Sequence, residues 1–524
     1  MIRDQKIVMG YSAEGEAAVI EPKMANRHGL IAGATGTGKT VSLKVMAEGF
    51  STLGVPVFVS DVKGDISGMA AMGTENENVT SRLEAMGIGD FSYEAYPVTF
   101  WDIYGKNGIP LRTTISEMGP LLLSKILNLT TVQSDVLGVV FKIADDEQLL
   151  LTDTKDLKAM LAYVSEKNKE YEAEYGKMSS QSLAAITRAV VVLESEGGDK
   201  FFGEPALSVA DWFTTDTSGR GMMHILDASS LINSPKLYGA FLLWLLSELF
   251  ELLPEVGDLE LPRMIFFFDE AHLLFNDASK ALLEKIEQVV KLIRSKGVGI
   301  YFCTQNPADI PGGVLSQLSN KIEHALHAYS PAEQKGVKVI AASYPVNPDF
   351  DTFDAIQSLG TGEAVISFLR EDGIPSIATK VSIVPPQSSM TMIDAAQREQ
   401  KIKGAMLYAK YYNPTDPDTA YEFLQRRAAE REMALTDEKR ALEEAKALEK
   451  EEKAAQKAAE KEAQRQSRAK KQAVKTVGNT VAGTVGREIG KQVGKNMGGT
   501  FGKTLGGNVG ASIGRGLLAT LLNR

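Results

Sequence analysis

The sequence predicts an α/β fold with a mainly parallel sheet, and three observations lead to this prediction. Over residues 1–384, short apolar runs of strand character alternate with helical patterns, as they do in chains that form parallel sheets covered by helices. A glycine-rich loop directly follows one of the apolar runs and precedes a helical pattern. Residues 116–193 show helical patterns without a strong strand signal, which predicts a helical insertion in this domain.

The runs of strand character and one long apolar run give the individual elements. Strands are expected at 29–32, 56–60, 264–268, 299–303, 321–325 and 363–368. The most apolar stretch, residues 241–253, contains Glu248 and Glu251 and is shorter than the roughly 20 residues that a bilayer span needs. It therefore predicts a buried helix.

The pattern changes after residue 384. Pro385, Pro386 and the small polar residues that follow stop any regular element, so we expect a linker and a short helix over 385–418. Residues 419–472 are rich in Ala, Glu, Lys, Gln and Arg and contain no Gly or Pro, which predicts one long charged helix. Its large apolar residues thin out after Leu448, which indicates a solvated helix or a weak coiled coil, and we favour the solvated helix.

The last segment, residues 473–524, is a glycine-striped basic tail. An apolar residue followed by glycine recurs every four positions, as at 489–490, 493–494 and 501–502. In a helix this spacing forms a groove in which a second helix packs closely. Each interior glycine costs about 1 kcal/mol relative to alanine, so such a helix needs a partner helix or an anionic membrane surface. A disordered tail is the alternative.

Charge and cysteine content limit the partners and the compartment. Residues 1–419 carry 36 Lys+Arg against 54 Asp+Glu, whereas residues 420–524 carry 21 against 13. The acidic body lacks the basic footprint expected for binding to a phosphate backbone. The single cysteine, Cys303, excludes an intrachain disulfide and a cysteine-based zinc site. The start shows no signal-peptide pattern, so we expect a cytoplasmic protein, with peripheral membrane attachment through the tail as a further option.

The glycine-rich loop matches the eight-residue phosphate-binding motif in the strand–loop–helix context that this motif requires. Its glycines let backbone N–H groups turn toward phosphates, Lys39 reaches the β- and γ-phosphates, and the Thr40 hydroxyl can bind Mg²⁺. The motif thus predicts ATP and Mg²⁺ as cofactors. The expected nucleotide-binding residues are Gly33, Ala34, Thr35, Gly36, Thr37, Gly38, Lys39 and Thr40.

Two carboxylates follow the apolar run 264–268, at the end of the strand that faces the nucleotide. We expect Asp269 to hold Mg²⁺ through water. Glu270 is expected to orient and polarise the attacking water, the step that makes a nucleotide-binding protein a hydrolase. A carboxylate pair after a strand is a weak signal alone, because helix caps look similar. Together with the phosphate-binding loop it becomes a strong one.

Other candidate residues have two interpretations each. Gln305, at the end of another predicted strand, either senses the γ-phosphate or the attacking water, or only forms the turn before Pro307. Arg294 is either an arginine finger that reaches the γ-phosphate of a neighbouring subunit or a cation that suits a helix C-terminus. Asp61 and Asp65 either assist the metal or water, or form a turn. For His272 we expect a contact with Glu270 rather than a metal-ligand role.

Taken together, these motifs resemble the HerA/FtsK superfamily of P-loop ATPases, with the closest match to the YjgR-type family that carries a HerA-like helicase C-terminal domain. The segments that carry the resemblance are 33–40, the Asp61 segment, 266–272, 294–299, 304–307 and 360–364. The resemblance implies a RecA-like core and a hexameric ring, with Lys39, Thr40, Asp269, Glu270 and Gln305 acting within one subunit and Arg294 acting on its neighbour.

Two functions from different classes stay open at this point. The first is an ATP-hydrolysing motor that acts on a polymer such as DNA. HerA-type translocases carry a β-barrel before the phosphate loop, whereas 32 residues precede Gly33 here, so the resemblance gives the ATPase and leaves DNA translocation open. The second is an ATP-switched assembly protein whose tail binds an anionic membrane or a helical partner. A P-loop kinase is disfavoured, because Glu270 suits water better than a hydroxyl donor.

Overall fold

A broad sheet forms the centre of the protein, and most of it is parallel. The computed structural model describes residues 2–275, 280–328 and 330–476. Its parallel strands are β4 (Gly29–Ala32), β5 (Val57–Asp61), β6 (Val98–Asp102), β7 (Ile109–Pro110), β8 (Met223–Asp227), β9 (Met264–Phe268), β10 (Val298–Thr304) and β11 (Asn320–His324). Across the sheet they lie in the order β11, β4, β10, β9, β5, β8, β6, β7. The predicted α/β class with a mainly parallel sheet is confirmed.

An antiparallel extension continues the sheet beyond β11. Its strands are β1 (Ile2–Arg3), β2 (Lys6–Tyr11), β3 (Ala17–Ile20), β12 (Glu363–Ser367) and β13 (Thr379–Ile383). β12 pairs with β11 and β13, β13 pairs with β2, and β2 pairs with β1 and β3. The first residues of the chain therefore join the same sheet as residues more than 350 positions later.

All six predicted strands are present, with boundaries that differ by at most one residue. The prediction did not include the other seven strands, β1, β2, β3, β6, β7, β8 and β13. Among these, β6 and β8 are five-residue strands that are fully buried. Each has a polar side chain inside an apolar run, and in β8 this is His224. Trp101 Nε1 donates to its Nδ1 (3.2 Å), and its Nε2 lies 3.1 Å from the Trp212 carbonyl oxygen. Burial lowers the pKa of His224 to about 3, so a neutral ring fits here.

Helices cover the sheet. In chain order they are α1 (Lys39–Thr52), α2 (Glu77–Ala85), α3 (Ile115–Ile126), α4 (Thr131–Asp146), α5 (Thr154–Glu166), α6 (Asn168–Tyr175), α7 (Ser180–Ser195), α8 (Gly198–Phe201), α9 (Pro235–Leu252), α10 (His272–Phe275), α11 (Lys280–Ile293), α12 (Gly312–Leu315), α13 (Pro331–Ala341), α14 (Thr352–Ser358), α15 (Ala395–Gly404), α16 (Tyr408–Tyr411) and α17 (Ala420–Thr476). The apolar stretch expected as a buried helix lies in α9, which packs against α3 and α11.

The stretch expected as a helical insertion consists of α3 to α7. Three of its helices begin with capping boxes, in which the side chain before the helix and the side chain three residues later bond each other's backbone N–H groups. These local signals favour helix in α3, α4 and α5, whereas α6 has no side-chain cap at its start and buries none of its side chains. Asp156 also anchors a distant segment, because its buried carboxylate accepts from Thr419 Oγ1 (2.7 Å) and the Tyr421 N–H (2.8 Å).

Residues 385–418, expected as a linker and a short helix, pack into the first compact unit, which extends from Met1 to Ala429. Glu48 in α1 explains part of this. Its buried carboxylate accepts from the backbone N–H groups of Gln387 (2.8 Å) and Ser388 (3.0 Å). A segment bonded to a buried side chain of the core behaves as part of the domain.

The long charged helix is present as α17, four residues longer at its end than expected. Every side chain described from Glu430 to Ala469 is exposed, as expected for a solvated helix. No helix among the described residues is both long and apolar enough to cross a membrane. The glycine stripe of the tail falls at 477–524, outside the described residues.

Candidate nucleotide-binding site

The predicted phosphate-binding loop connects β4 to α1, at the carboxyl edge of the parallel strands. Lys39 is the first residue of α1, and its ammonium donates to the carbonyl oxygens of Gly33 (2.7 Å) and Ala34 (3.0 Å). Burial lowers the pKa of Lys39, while the charge of Glu270 opposes this. The residue before α1 is Gly38, and no described side chain caps this helix start, so its first N–H groups are available to phosphate oxygens.

Hydrogen bonds from neighbouring segments fix the rest of the loop. The Ala34 N–H donates to the Ala325 carbonyl oxygen (2.9 Å), and the Gly362 N–H donates to the Thr37 carbonyl oxygen (2.8 Å). Thr37 Oγ1 donates to Ala34 O (2.7 Å). Thr35 and Gly36 are exposed, whereas Thr40 is half-buried in the first turn of α1. The whole predicted set therefore comprises one loop, Gly33 to Gly38, and the first two residues of α1, and the outer part of the loop is exposed.

His324, the last residue of β11, packs against the glycines of the phosphate loop. It is buried, and its ring nitrogens lie 2.8 Å from Ser42 Oγ and 2.8 Å from the Glu363 carbonyl oxygen. Burial lowers the pKa of His324 to about 4. A Cβ at Gly33 would lie 2.5 Å from the His324 Cβ, and Gly33 has a φ of 146°. This position therefore needs glycine for both space and backbone conformation.

Asp269 directly follows β9 and is buried. Its Oδ2 atom has no hydrogen-bond partner among the described residues. Burial, helped by the charge of Glu270, raises the pKa of Asp269 to about 6. A buried carboxylate oxygen without a donor is unfavourable unless a cation takes that place, so Asp269 fits the expected Mg²⁺ ligand. Among the described residues no group of three or more His, Cys, Asp or Glu forms a metal cage, and Mg²⁺ with nucleotide needs none, since phosphates and water supply its other ligands.

Glu270 lies beside Asp269, with its backbone in the left-handed region at a φ of 46°. Gln305 Nε2 donates to both of its carboxylate oxygens (3.1 and 3.2 Å). The Lys63 ammonium forms an ion pair with Oε1, and His272 Nδ1 is 3.4 Å from Oε2. Burial alone would raise the pKa of Glu270, but the bonds from Lys63 and Gln305 outweigh it and lower the pKa. Glu270 is therefore held as a carboxylate.

These contacts join four segments of the site. Thr35 Oγ1 in the phosphate loop lies 3.0 Å from Gln305 Oε1, and Gln305 donates to Glu270, which binds Lys63 after β5. A ligand that moves Thr35 therefore also affects the donors of Glu270. Gln305 thus contacts both the phosphate loop and Glu270, and the sensor and turn interpretations of this residue both stay open.

Asp61 and Asp65 have different surroundings. Asp61 accepts from the backbone N–H groups of Gly64 (2.7 Å) and Ile66 (3.2 Å), so its carboxylate forms the turn after β5. Burial raises the pKa of Asp61 to about 7. Asp65 Oδ1 is buried without a partner among the described residues. Asp61 thus fits the turn interpretation, and the turn presents Lys63 to Glu270.

Arg294 lies apart from the other predicted residues. It belongs to the short 3₁₀ turn before β10, and its carbonyl oxygen accepts from Asn26 Nδ2 (3.4 Å). Gln305 follows the other end of β10, a strand of seven residues, which corresponds to about 20 Å. The side chain of Arg294 is exposed. Within one chain Arg294 and the phosphate loop therefore lie at opposite ends of the parallel strands. Arg294 is at the amino ends, here called the amino edge, and the loop is at the carboxyl ends, the carboxyl edge.

Sequence reasoning missed two residues of the site. It included Lys63 only as part of the Asp61 segment, and it assigned no role to His324. Lys63 follows the end of β5 and His324 is the last residue of β11, so their position at the ends of parallel strands was the available signal. Their partners, Glu270 and the loop glycines, are far away in the sequence, so the contacts themselves could not be inferred from it.

The comparisons with known proteins agree with this geometry. A family model described as helicase HerA-like C-terminal matches residues 6–508. The chain belongs to this family. This match confirms the family resemblance that the motifs indicate, and it covers nearly the whole chain.

Individual relatives of this HerA-like protein are more distant. The DNA double-strand break repair helicase HerA of Sulfolobus acidocaldarius is 32% identical over 99 residues, which make up 19% of this chain and 19% of that protein. The match thus spans about a fifth of the relative's length. Plasmid coupling protein TrwB with a non-hydrolysable ATP analogue is 13% identical, covers 74% of this chain and 91% of its own, and has a TM-score of 0.51. VirB4 of Thermoanaerobacter pseudethanolicus is 16% identical, with coverage of 76% and 99% and a TM-score of 0.46. The TrwB likeness supports the RecA-like P-loop fold.

The contact between Lys63 and Glu270 leads to a prediction for this HerA-like chain. Replacing Lys63 with Ala removes the cation that holds Glu270, so kcat for ATP hydrolysis should fall about tenfold or more while KM for ATP changes little. Lys63→Arg should restore most of kcat, because arginine keeps the charge. Steady-state phosphate release measures both parameters.

Lys23→Ala is the matched control. It removes another Lys–Glu ion pair, Lys23 to Glu260 (2.8 Å), at the surface, and should leave kcat unchanged. An equal loss of kcat in both alanine variants, or an unchanged kcat in Lys63→Ala, contradicts a positioning role for Lys63.

Proposed function

We propose that this HerA-like protein is a Mg²⁺-dependent ATPase that converts ATP and water to ADP and phosphate and uses this cycle to act on DNA. The observation that carries the proposal is the contact between Gln305 and Glu270 beside the unpartnered Asp269 Oδ2, at the same sheet edge as the phosphate loop. A phosphate-binding loop alone fits any P-loop protein, whereas the held glutamate supplies a group for activating water.

In the proposed reaction, the loop N–H groups and Lys39 bind the phosphates. Thr40 and Asp269 are the residues that would hold Mg²⁺, which neutralises charge on the phosphate oxygens when it is bound. The donors on Glu270 determine how it acts. Both of its oxygens accept bonds from Gln305, and Oε1 also binds Lys63. A carboxylate has about four acceptor sites, so Glu270 can orient an attacking water and accept its proton while these donors stay in place.

DNA is the proposed polymer because of the family. The family model is described as helicase HerA-like, and a relative that matches 99 residues of the chain is named a DNA double-strand break repair helicase. The substrate is therefore an inference by analogy. The net acidic charge of residues 1–419 means that contact with DNA would have to come from a locally basic surface or from the basic tail. The described residues give no support to the membrane-binding alternative, whose glycine stripe lies outside them.

A homo-oligomeric ring, hexameric by the family resemblance, is part of the proposal. Arg294 is the residue that would connect the assembly of this ring to ATP hydrolysis. It is exposed and lies at the sheet edge opposite the phosphate loop, so it can reach a nucleotide only in another subunit. A ring in which each subunit offers this edge to the next one's loop would give it that position.

Two substitutions should separate binding from hydrolysis. Lys39→Ala removes the phosphate contact and should abolish ATP binding, whereas Glu270→Gln should keep ATP binding and slow hydrolysis by about 10² to 10⁴. Equilibrium binding of a fluorescent ATP analogue and release of free phosphate measure the two effects. Detection of free phosphate, rather than a phosphorylated acceptor, also distinguishes an ATPase from a kinase.

The exposed Glu284 in α11 provides the control for the second substitution, because Glu284→Gln makes the same chemical change away from the site. Wild-type turnover in Glu270→Gln would show that Glu270 does not activate water.

Double-stranded DNA should raise the ATPase rate of the wild-type protein, because a motor couples hydrolysis to its polymer. The stimulation should weaken as salt increases, since binding to phosphates releases counterions. Phosphate release is measured with DNA and, separately, with liposomes of anionic lipid. Stimulation by the liposomes alone would refute DNA as the polymer.

Mixed assemblies test Arg294. Arg294→Ala and Glu270→Gln proteins should each be nearly inactive, since an arginine finger contributes about 10³ to 10⁵ in rate. Mixed rings should regain activity at sites that combine an intact Glu270 with an intact Arg294 from a neighbour. Normal hydrolysis by Arg294→Ala alone would leave this residue as a helix-end cation.

A further inference from the structure

An arginine of α2 contacts the segment that leads into β12. Arg82 Nη1 donates to the carbonyl oxygens of Gly362 (2.8 Å) and Ile383 (3.2 Å), and its Nη2 donates to the carbonyl oxygen of Thr361 (2.8 Å). Hydrogen bonds from a charged donor are stronger than those between neutral groups. The guanidinium group therefore holds the backbone of this segment in one orientation.

The peptide unit between Thr361 and Gly362 connects Arg82 to the phosphate loop. Its C=O accepts from Arg82 Nη2, and its N–H donates to the Thr37 carbonyl oxygen (2.8 Å). In a trans peptide unit the C=O and the N–H point in opposite directions within one rigid plane. Arg82 and Thr37 are therefore bonded to opposite sides of the same plane.

A second peptide unit, between Thr37 and Gly38, continues this connection. Its C=O accepts from Gly362, so its N–H, on Gly38, points the opposite way. Backbone N–H groups of this loop motif bind the α- and β-phosphates of a nucleotide. Hydrogen bonds in series polarise one another, so the charge of Arg82 makes the Gly38 N–H a stronger donor to a phosphate oxygen.

Two glycines allow the close approach that these bonds need. Gly362 has a φ of 77°, and a Cβ there would lie 2.4 Å from Arg82 Nη1. Gly38 has a φ of 123°, and a Cβ there would lie 3.2 Å from the Gly362 Cα. Both positions therefore favour glycine for space and for backbone conformation.

The surroundings of Arg82 show that it is not a core packing residue. It is half-buried and lines a cavity of about 780 Å³, together with polar residues such as Asn78 and Ser81. The buried residue of α2 is Val79. Substitution of Arg82 should therefore remove the bonds to the carbonyl oxygens without leaving a void in the apolar core.

We propose that Arg82 is a positioning residue of the nucleotide site, which orients and polarises the Gly38 N–H through the two peptide units and so strengthens binding of the α- and β-phosphates. This role rests on the proposed function, because it requires a phosphate loop that binds ATP. ATP and ADP share the phosphates concerned. An interaction that is equally strong in the bound substrate and in the transition state lowers KM and leaves kcat unchanged.

The test measures binding of ADP with Mg²⁺ to the full chain by calorimetry, and KM and kcat for ATP by phosphate release. Arg82→Met keeps a long side chain that suits a helix but removes every N–H donor. Its Kd for ADP and its KM for ATP should both rise about tenfold, while kcat stays within about threefold of wild type. The Lys63→Ala variant should show the opposite pattern, a lower kcat with little change in KM.

Two further replacements at the same position separate charge from side-chain length. Arg82→Lys keeps a cation with three N–H donors, so it should bind ADP within about threefold of wild type. Arg82→Gln is neutral and polar and should weaken ADP binding about as much as Arg82→Met does, because the charge is lost. Thermal unfolding without nucleotide measures the stability of each variant separately from binding.

Arg112→Met is the matched control. Arg112 Nη1 also donates to a backbone carbonyl oxygen, that of Tyr411 (3.0 Å). Arg112 lies just after β7, and five strands separate β7 from β4, the strand before the phosphate loop. This variant should bind ADP as tightly as the wild-type protein.

Unchanged ADP affinity in Arg82→Met, or a lower kcat with an unchanged KM, would overturn the role of Arg82 and leave the proposed ATPase function in place. An equal loss of affinity in Arg112→Met would also overturn it, as would a loss in Arg82→Lys as large as in Arg82→Met. Absence of ADP binding by the wild-type protein would instead refute the proposed function, and the role of Arg82 with it.

Discussion

Parallel pairing of three strands is the constraint on which the site depends. β10 lies between β4 and β9, and the register pairs Thr304 with Ala32 and Phe302 with Phe268. Neighbouring strands are about 4.8 Å apart, so the residues that follow each strand meet at one edge. The phosphate loop, Gln305 and the Asp269–Glu270 pair are brought together in this way, although 228 residues lie between Thr40 and Asp269. A shift of one residue in either pairing would turn the alternating side chains to the opposite face.

Several ionisable side chains are buried at this carboxyl edge of the parallel strands. The surroundings of each side chain determine whether it stays charged. Glu270 has donors on both oxygens, and its pKa is lowered. Asp269 has an unpartnered oxygen, and its pKa is raised to about 6. The two adjacent carboxylates therefore differ in the way that their proposed roles require, since one remains a base and the other gains most from a cation. His324 contributes by being neutral, because a charged ring beneath the loop would repel Lys39.

The sequence was informative where a local pattern determines the structure. The six predicted strands, the phosphate loop and the buried helix within α9 depend on apolar runs, glycine spacing and neighbours in the chain, and the structure contains all of them. Contacts between distant residues were not predictable. Lys63 is an ordinary turn residue until β5 lies beside β9, and residues 385–418 look like a linker until Glu48 accepts their backbone N–H groups. β6 and β8 were missed because their polar residues become favourable only through partners such as Trp101.

The position of Arg294 restricts how an assembly could use it. In a two-fold dimer the contacts are reciprocal, so Arg294 of each subunit reaches the other's phosphate loop only if both ends of the parallel strands, about 20 Å apart along β10, belong to one shared interface. In any other assembly, a finger role requires that the amino edge of one subunit meets the carboxyl edge of the next. That contact joins two different surfaces and repeats from subunit to subunit, and it ends only when the rotation closes a ring. The distance of about 20 Å along β10 therefore connects the chemistry of one residue to the symmetry of the whole assembly.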